Sequence, residues 1–308
     1  PIGARAISRE LEKRGFEIGE RAVRYHLKHL DDKGLTEKPG SLKGRLITEK
    51  GEMELRSDLV GERVGFVIGR IEELIYEMSY DLETGEGKII ANISLLDEED
   101  RVEALETMRS VMRDGWAPSP LVKVTGSGEE IGRFQVPEGK VGIATVCSIT
   151  LDGLLEAEGI PVSPKFGGVL EVEDDQPQRF VDAIAYQGTS LDPLAVFASK
   201  RMTSLLSVLG EGSGRILANM REIPIPARSS SLDVIERGGE MDLDGVLEVG
   251  SPADSIFGLP VDVNRVGIVI VGGLNSAVAV EESGIDVETL PMESLIDISE
   301  MDNIDGYL

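Results

Sequence analysis

Two stretches of this sequence occur twice, in the same order and at almost the same separation. The 22 residues Val141–Val162, VGIATVCSITLDGLLEAEGIPV, align without a gap to Val266–Val287, VGIVIVGGLNSAVAVEESGIDV, 125 positions later. The shorter run Gly87–Asn92, GKIIAN, is echoed by Gly214–Asn219, GRILAN, 127 positions later. Two echoes at nearly one offset predict two copies of one fold unit, with chance similarity of small apolar residues as the alternative.

Each copy is predicted to contain a buried strand, a turn of small residues and a short helix. The strands are residues 141–146 and 266–271, the turns are Cys147-Ser148 and Gly272-Gly273, and the helices end at Gly159 and Gly284. A helix that starts at such a turn presents free backbone N–H groups to an anion. Small residues also serve at these turns merely to pack a helix on a sheet, so both interpretations stay open.

Polar side chains at the matched turns make them candidates for a ligand site. If the copies pack about a pseudo-twofold axis, their turns line one cleft, which a cation from a neighbouring loop would make suitable for a dicarboxylate. The candidate turn residues are Cys147, Ser148, Thr150, Gly273, Asn275 and Ser276. The candidate cations are Arg228 and Lys165, from stretches that contain proline and serine. A solvated surface charge is the alternative interpretation for each cation.

Charge divides the chain into two regions. The whole chain carries a formal net charge of −25, yet residues 1–55 hold 12 Lys and Arg against 10 Asp and Glu, so this segment is +2 and the remainder −27. This asymmetry predicts two functional regions, residues 1–56, the predicted DNA-binding domain, and 62–308. The repeat divides the second region into halves, about 62–182 and 205–308, joined by 183–204, and the polar turns make it the predicted ligand-sensing domain. The acidic remainder also keeps a protein soluble, for example in a salty or hot cytoplasm.

The basic segment has the pattern of two helices followed by a hairpin. Apolar spacing predicts one helix from Gly3 to Arg14 and a second from about Glu20 to Gly34, and a basic strand-turn-strand wing follows. One face of the second helix is basic, as in a helix that enters the major groove. The predicted DNA contacts are Arg21, Arg24, Tyr25 and Lys28 on this helix, with Lys43 and Arg45 on the wing.

This order of elements resembles the winged helix-turn-helix superfamily, through the run ISRELEKRGFEIGERAVRYHLKHLDDKGLTEK. A solvated amphipathic helical hairpin is the competing interpretation, but the ordered set of helices and basic hairpin favours DNA binding. A complete module usually has one more helix ahead of the pair. The chain opens almost directly on the pair, so one expectation is that the domain is truncated at its N-terminus.

Several functional classes are disfavoured by composition. The chain has one cysteine and two histidines, too few for a disulfide framework or a zinc site of the usual Cys/His type. Cys147 has no histidine after His29 to act as its base, so we expect no catalytic activity. The longest apolar runs are far shorter than the roughly 20 residues that span a bilayer. We expect a cytoplasmic protein without metal or cofactor.

Taken together, the winged helix, the GKIIAN and GRILAN segments and the stretch TSLDPLAVF (residues 189–197) resemble the archaeal NrpR family of nitrogen regulators. The resemblance covers essentially the whole chain. It implies a mixed fold, α/β or α+β, with an internally duplicated regulatory domain behind the winged helix. It also implies a repressor of nitrogen-assimilation genes that is released from operator DNA by 2-oxoglutarate and acts as a homodimer or higher oligomer.

Some relatives carry two regulatory domains, whereas this chain has one, so a separately encoded second regulatory-domain protein is a conceivable partner. The competing interpretation is a winged-helix regulator whose acidic domain only dimerises or senses a different small anion. Thermal stabilisation by a ligand separates these readings, since only a sensor is stabilised by mass action.

Overall fold

The computed structural model describes residues 2–13, 18–39, 44–48, 50–51 and 66–308. The chain divides into two compact units, Pro1–Val64 and Gly65–Leu308, called here the N-terminal and C-terminal units. The predicted wing residue Lys43 lies outside the described residues.

The N-terminal unit contains two helices and a short strand pair. The helices are α1 (Ala4–Lys13) and α2 (Glu20–Asp32), and β1 (Thr36–Glu37) pairs with β2 (Leu46–Ile47) in antiparallel fashion. Val23 and Leu27 form the buried face of α2, which packs on α1. Gly34 takes a φ of +71° just after α2, where the chain turns into β1. This is the winged helix-turn-helix arrangement that the sequence predicts.

The C-terminal unit repeats one order of elements twice. It opens with α3 (Phe66–Glu77). The first copy comprises β3 (Lys88–Asp97), α4 (Arg101–Arg113), β4 (Leu121–Thr125), the short strands β5 (Glu130–Ile131) and β6 (Phe134–Gln135), β7 (Lys140–Val146), α5 (Ile149–Ala157) and β8 (Ser163–Glu173). β9 (Gln176–Ala185), α6 (Pro193–Ser199) and α7 (Leu205–Glu211) follow. The second copy comprises β10 (Gly214–Pro224), α8 (Arg228–Glu240), β11 (Val246–Val249), β12 (Arg265–Val271), α9 (Asn275–Glu282) and β13 (Glu288–Asp297), and β14 (Asp302–Asn303) lies near the C-terminus.

The two copies exchange their last strands. One antiparallel sheet has the order β13-β3-β7-β4-β14, and the other has the order β11-β12-β10-β8-β9. Strand β8 of the first copy therefore pairs with β10 of the second, while β13 of the second pairs with β3 of the first. Each copy has the βαββαβ order of a ferredoxin-like unit, with its fourth strand donated to the other copy.

Helices also pair across the copies, α4 with α9 and α5 with α8. The interior strands β3 and β10 are buried along almost their whole length, which is typical of a sheet covered on both faces. Ile143, Val169 and Ile216 belong to the core that contains α4 and α9, and Ile93 and Ile268 to the one that contains α5 and α8. Neither copy can keep these cores alone, because each core draws on strands of both.

The predicted strands, turns and helices of the repeat are confirmed. The helices α5 and α9 are followed by Gly159 and Gly284, both at positive φ, 77° and 100°. Asp192 is the N-cap of α6, and its Oδ2 accepts a hydrogen bond from the backbone N–H of Ala195 at 3.2 Å. Within the described part of the chain, no helix combines the length and apolar character that crossing a membrane requires.

Candidate nucleic-acid interface and ligand site

An exposed stripe runs along α2, on the side opposite its buried face. It consists of Arg21, Arg24, Tyr25 and Lys28, which are separated by three, four and seven positions and so share one side of a helix. All four are exposed, and Tyr25 keeps 71% of its surface open to solvent even though its ring is large and apolar. The structure thus brings together the four helix residues predicted to contact DNA. We call them the α2 stripe.

The α2 stripe combines groups suited to phosphates and to base edges. Arg24 is exposed and its guanidinium pairs with Glu20, one turn earlier on the same helix. Such a surface pair contributes little to stability and is easily exchanged for a phosphate. The ring of Tyr25 lies edge-on to His26, with centroids 5.5 Å apart. The stripe therefore offers several donors on one open face, the chemistry that major-groove recognition uses.

Arg45, the other described residue of the predicted wing contacts, has a partner inside the unit. Its Nε donates to Asp31 at 3.0 Å and 2.7 Å from the two carboxylate oxygens, and Thr36 donates to the same carboxylate at 2.7 Å. Burial raises the pKa of Asp31, but the hydrogen bonds from Thr36 and Arg45 outweigh it and hold that pKa below the ordinary value. Arg45 thus ties the wing to the end of α2, a role that spacing alone did not reveal.

In the C-terminal unit, the two predicted turns meet face to face. A Cβ placed on Gly273 would lie 2.9 Å from the backbone nitrogen of Ser148 and 3.2 Å from the Cα of Cys147. The predicted turn residues are all buried: Cys147, Ser148, Thr150, Gly273, Asn275 and Ser276. The structure thus brings the two turns together, as the duplication predicted, but as a closed contact between the copies.

Asparagines from the repeated GKIIAN and GRILAN segments hold this contact reciprocally. Asn92 of the first copy donates to the carbonyl of Gly273 in the second copy, at 3.1 Å. Asn219 of the second copy donates to the hydroxyl of Ser148 in the first copy, at 3.0 Å. Each asparagine thereby reaches the turn of the other copy. Their repetition in the sequence was the available signal, but their role was not predicted.

Thr150 and Asn275 occupy equivalent positions in the two copies, and each bonds to the backbone N–H and carbonyl of one strand residue. The hydroxyl of Thr150 accepts from the N–H of Ile90 and donates to its carbonyl, at 3.3 Å and 3.0 Å. The amide of Asn275 makes the same two kinds of bond with Leu217, at 2.9 Å and 3.1 Å. Both predicted ligand residues thus have backbone partners that join a helix start to a strand.

A buried ion pair lies beside the first turn. The Nε of Arg221, on β10, donates to Oδ1 of Asp152, on α5, and the two side chains are 2% and 0% exposed. Burial raises the pKa of Asp152 to about 6, although the Arg221 guanidinium lowers it in part. The prediction omitted both residues, and the available signals were an arginine in an apolar strand and an aspartate in an apolar helix.

Tyr186 and Asp192 extend the same polar cluster. The Tyr186 hydroxyl donates to Oδ1 of Asn219 at 2.6 Å and is also within hydrogen-bonding reach of the Asp192 carboxylate. Burial raises the pKa of Asp192 to about 6. Burial also raises the pKa of the Cys147 thiol to about 12, so this cysteine is a neutral thiol at physiological pH.

The two predicted cations have other partners. Lys165 pairs with Asp262 and, at 3.1 Å, with the buried carboxylate of Glu222, and it lines a cavity of about 750 Å³. Arg228 donates from Nε to the carbonyl of Gly250 at 3.0 Å. Neither prediction as a ligand residue is tested by these contacts. Arg221, which was not predicted, is a cation that contacts the helix starting at the first turn, through Asp152.

A second cavity, of about 550 Å³, opens beside the polar cluster. Its walls are mostly apolar and include Val67 of α3 and Met292 of β13. Both residues pack in one buried cluster with Cys147 and Tyr186, and Asp192 is also part of the cavity wall. A molecule in this cavity would therefore contact the polar cluster at Asp192 and lie next to the side chains that pack with Cys147 and Tyr186.

Comparison with known proteins matches both units. Residues 64–303 match the family model described as NrpR regulatory domains NRD1 and 2, which covers most of the chain. The chain belongs to the NrpR family. Residues 1–55 are similar to a second model, described as the Ribonuclease R winged-helix domain.

Individual NrpR relatives align over nearly the full chain. The global nitrogen regulator NrpRI of Methanosarcina mazei is 43% identical over 99% of this chain and 93% of its own length. The global nitrogen regulator NrpR of Methanococcus maripaludis is 32% identical over 98% of this chain, which spans 52% of that protein. A crystal structure of a nitrogen repressor-like protein from Methanococcus jannaschii is 26% identical, with a TM-score of 0.65, over 77% of this chain and 97% of its own.

Proposed function

We propose that this NrpR-family chain is a transcriptional repressor of nitrogen-assimilation genes, which binds operator DNA through its winged helix and is released by 2-oxoglutarate. The observation that carries DNA binding is the α2 stripe, an open row of cationic and aromatic side chains on the second helix of a winged helix-turn-helix. Relatives named as global nitrogen regulators support the choice of target genes.

A dicarboxylate effector suits the C-terminal unit better than a neutral one. A carboxylate needs backbone N–H groups or cations, and the meeting turns place a helix start beside Arg221. 2-Oxoglutarate is the effector that membership of the family suggests, because it accumulates when nitrogen is scarce.

Regulation rather than catalysis is supported by the state of the single cysteine. Cys147 is buried and its pKa is raised to about 12, so the thiolate that nucleophilic catalysis requires is not formed at physiological pH. In this proposal the protein acts in the cytoplasm, where operator DNA is found, without metal or cofactor.

The proposed mechanism requires a homodimer or a higher oligomer. Two C-terminal units hold two winged helices at a spacing that matches two operator half-sites, and effector binding changes that spacing. Linkage then demands that 2-oxoglutarate and DNA lower each other's affinity by the same factor. A separate second regulatory-domain protein would be a further partner of this assembly.

The test is a titration of labelled DNA, taken from upstream of nitrogen-assimilation genes, with the purified chain at fixed salt. Fluorescence anisotropy is followed with and without 2-oxoglutarate, and glutamate and citrate serve as controls. Specific binding that 2-oxoglutarate alone weakens is the expected result. Specific binding that no carboxylate changes would leave a winged-helix protein with a dimerising C-terminal unit, and the absence of specific DNA binding would contradict the repressor proposal.

A further inference from the structure

One buried ion pair distinguishes the two copies of the C-terminal unit. By the offsets of the repeat, Arg221 corresponds to Ser94, and Asp152 corresponds to Ala277. The sheet registers agree, because Ser94 lies opposite Ile143 and Arg221 lies opposite the equivalent Ile268. The same fold is therefore built once with a buried arginine and aspartate, and once with serine and alanine. The fold itself does not require the charged pair.

Burying the charges of Arg221 and Asp152 costs free energy of desolvation. Taking two charges out of water is compensated only when their remaining donors and acceptors are satisfied. Among the described residues, the second carboxylate oxygen of Asp152 and the Nη1 atom of Arg221 have no hydrogen-bond partner. The pair thus lacks part of its hydrogen bonding, and the equivalent site contains no such pair. Both observations indicate a role other than stabilising the fold.

The pair lies at the meeting point of the two turns. Asn219 and Arg221 are two positions apart on β10, and Ser148 and Asp152 are four apart at the start of α5. Two hydrogen bonds join β10 to this helix start: Asn219 bonds to Ser148, and Arg221 bonds to Asp152. The unsatisfied guanidinium nitrogen thus belongs to a residue held against the first turn of a nine-residue helix, where an anion is also favoured by the helix N-terminus.

The apolar cavity of about 550 Å³ lies on the side of Cys147 and Tyr186, because its wall residues Val67 and Met292 pack with both. Cys147 and Tyr186 pack with the cavity wall and lie within electrostatic range of Arg221. A small acid that enters from the cavity and displaces these two side chains would approach the guanidinium. Lys165, in the other cavity, is already paired with two carboxylates and offers a weaker site.

We infer that Arg221 is the residue that binds a carboxylate of the effector, which takes the place of the Asp152 carboxylate on the guanidinium. This inference rests on the proposed function, since it assumes a small carboxylate effector. The exchange breaks a contact between α5 of the first copy and β10 of the second. Ligand binding at this point would therefore loosen the join between the copies.

The test compares four proteins by calorimetric titration with 2-oxoglutarate, and with glutarate, glutamate and citrate, at fixed salt. They are the wild type, the double variant Arg221→Ser/Asp152→Ala, the single variant Asp152→Asn and the control Ser94→Ala. The double variant reproduces the residues of the equivalent site, Ser94 and Ala277, so it is expected to fold, which circular dichroism and thermal unfolding check. Ser94 occupies the position equivalent to Arg221, and its buried hydroxyl has no hydrogen-bond partner among the described residues.

We expect the double variant to bind the acid at least about tenfold more weakly than the wild type, as for loss of a charge-assisted hydrogen bond. Asp152→Asn should bind more tightly, because the competing charge is gone, and Ser94→Ala should match the wild type. Asp152→Asn gives an independent answer if the double variant does not fold.

Undiminished binding by a folded double variant, or weaker binding by Asp152→Asn, would overturn the assignment of Arg221 and leave the proposed function standing. A wild type that binds none of the four acids, yet still binds operator DNA, would overturn both this assignment and the proposed effector.

Discussion

The side-chain amide of Asn219, in the second copy, donates a hydrogen bond of 3.0 Å to the hydroxyl of Ser148, in the first. The same asparagine accepts a hydrogen bond from Tyr186, at 2.6 Å, and is 1% exposed. The buried amide of Asn219, on β10, is thus bonded to the turn of the first copy through Ser148. It is also bonded to the segment between the copies through Tyr186.

Removal of that amide is expected to destabilise the C-terminal unit. Asn219→Ala leaves the hydroxyls of Ser148 and Tyr186 without this partner in a buried site, at a cost of about 2 to 4 kcal/mol in the free energy of unfolding. Urea unfolding followed by circular dichroism measures it. Gln178→Ala removes an exposed amide and should change stability by less than about 0.5 kcal/mol. Equal effects of the two variants would contradict the role given to Asn219.

Close approach of the two turns predicts that Gly273 tolerates no side chain. A Cβ there would lie 2.9 Å from both the Asn92 amide nitrogen and the Ser148 backbone nitrogen, so Gly273→Ala should destabilise by about 1 to 3 kcal/mol. The matched control is Gly69→Ala in α3, where a Cβ meets no atom within 4 Å in the described part of the chain. Gly69→Ala should stabilise by about 0.5 to 1 kcal/mol, since a helix interior favours alanine. Thermal unfolding of both variants tests the contrast, which a neutral Gly273→Ala would refute.

The local elements of this protein were predictable from its sequence, whereas the exchange of strands between copies was not. Apolar runs such as residues 141–146 identify a buried strand, because its burial is decided by its own side chains. The partner of β8 is decided by competition between two copies of one fold unit, and the period of the apolar residues does not indicate which copy supplies the neighbouring strand. The same limit applies to the site: the pair of Arg221 and Asp152 joins residues 69 positions apart.

The shared, exposed face of the four α2 stripe residues was predicted in full, because exposure and spacing on one helix depend mainly on local sequence. Arg24→Ala should therefore weaken operator binding and reduce the slope of log affinity against log salt by about 1, if the arginine contacts a phosphate. Arg113→Ala, in the C-terminal unit, removes an equally exposed arginine and serves as the control. Anisotropy titrations at several salt concentrations give both quantities. Wild-type affinity for Arg24→Ala at every salt concentration would exclude it from the interface.

Arg45 is expected to affect the stability of the winged helix through Asp31. Loss of their part-exposed pair in Arg45→Met should cost about 1 kcal/mol. Because the pKa of Asp31 is below its ordinary 3.8 in the folded protein, this stabilisation is complete above about pH 4 and is lost as the pH falls further. Hydrogen exchange of amides in β1, measured near neutral pH, should accelerate in Arg45→Met and remain unchanged in Arg9→Ala. Unchanged exchange in Arg45→Met would contradict the structural role.

Asp192 carries a pH dependence of the opposite sign. Burial raises the pKa of its carboxyl group from 3.8 to about 6, so the folded state holds this proton more tightly than the unfolded chain does. Its contribution to stability is complete below pH 3.8, declines as the pH rises to about 6, and amounts to about 2 to 3 kcal/mol. Asp192→Asn keeps an N-cap for α6 but removes the titration.

Urea unfolding of Asp192→Asn between pH 4 and pH 7 should show a smaller decline of stability than the wild type shows. The difference isolates Asp192 from the many surface carboxylates, which are common to both proteins. Asp182→Asn, at an exposed position on β9, is the matched control and should decline like the wild type. If Asp192→Asn lost as much stability as the wild type over this range, the Asp192 carboxylate would be solvated in the folded protein. Its assignment to a buried cluster with Tyr186 would then be wrong.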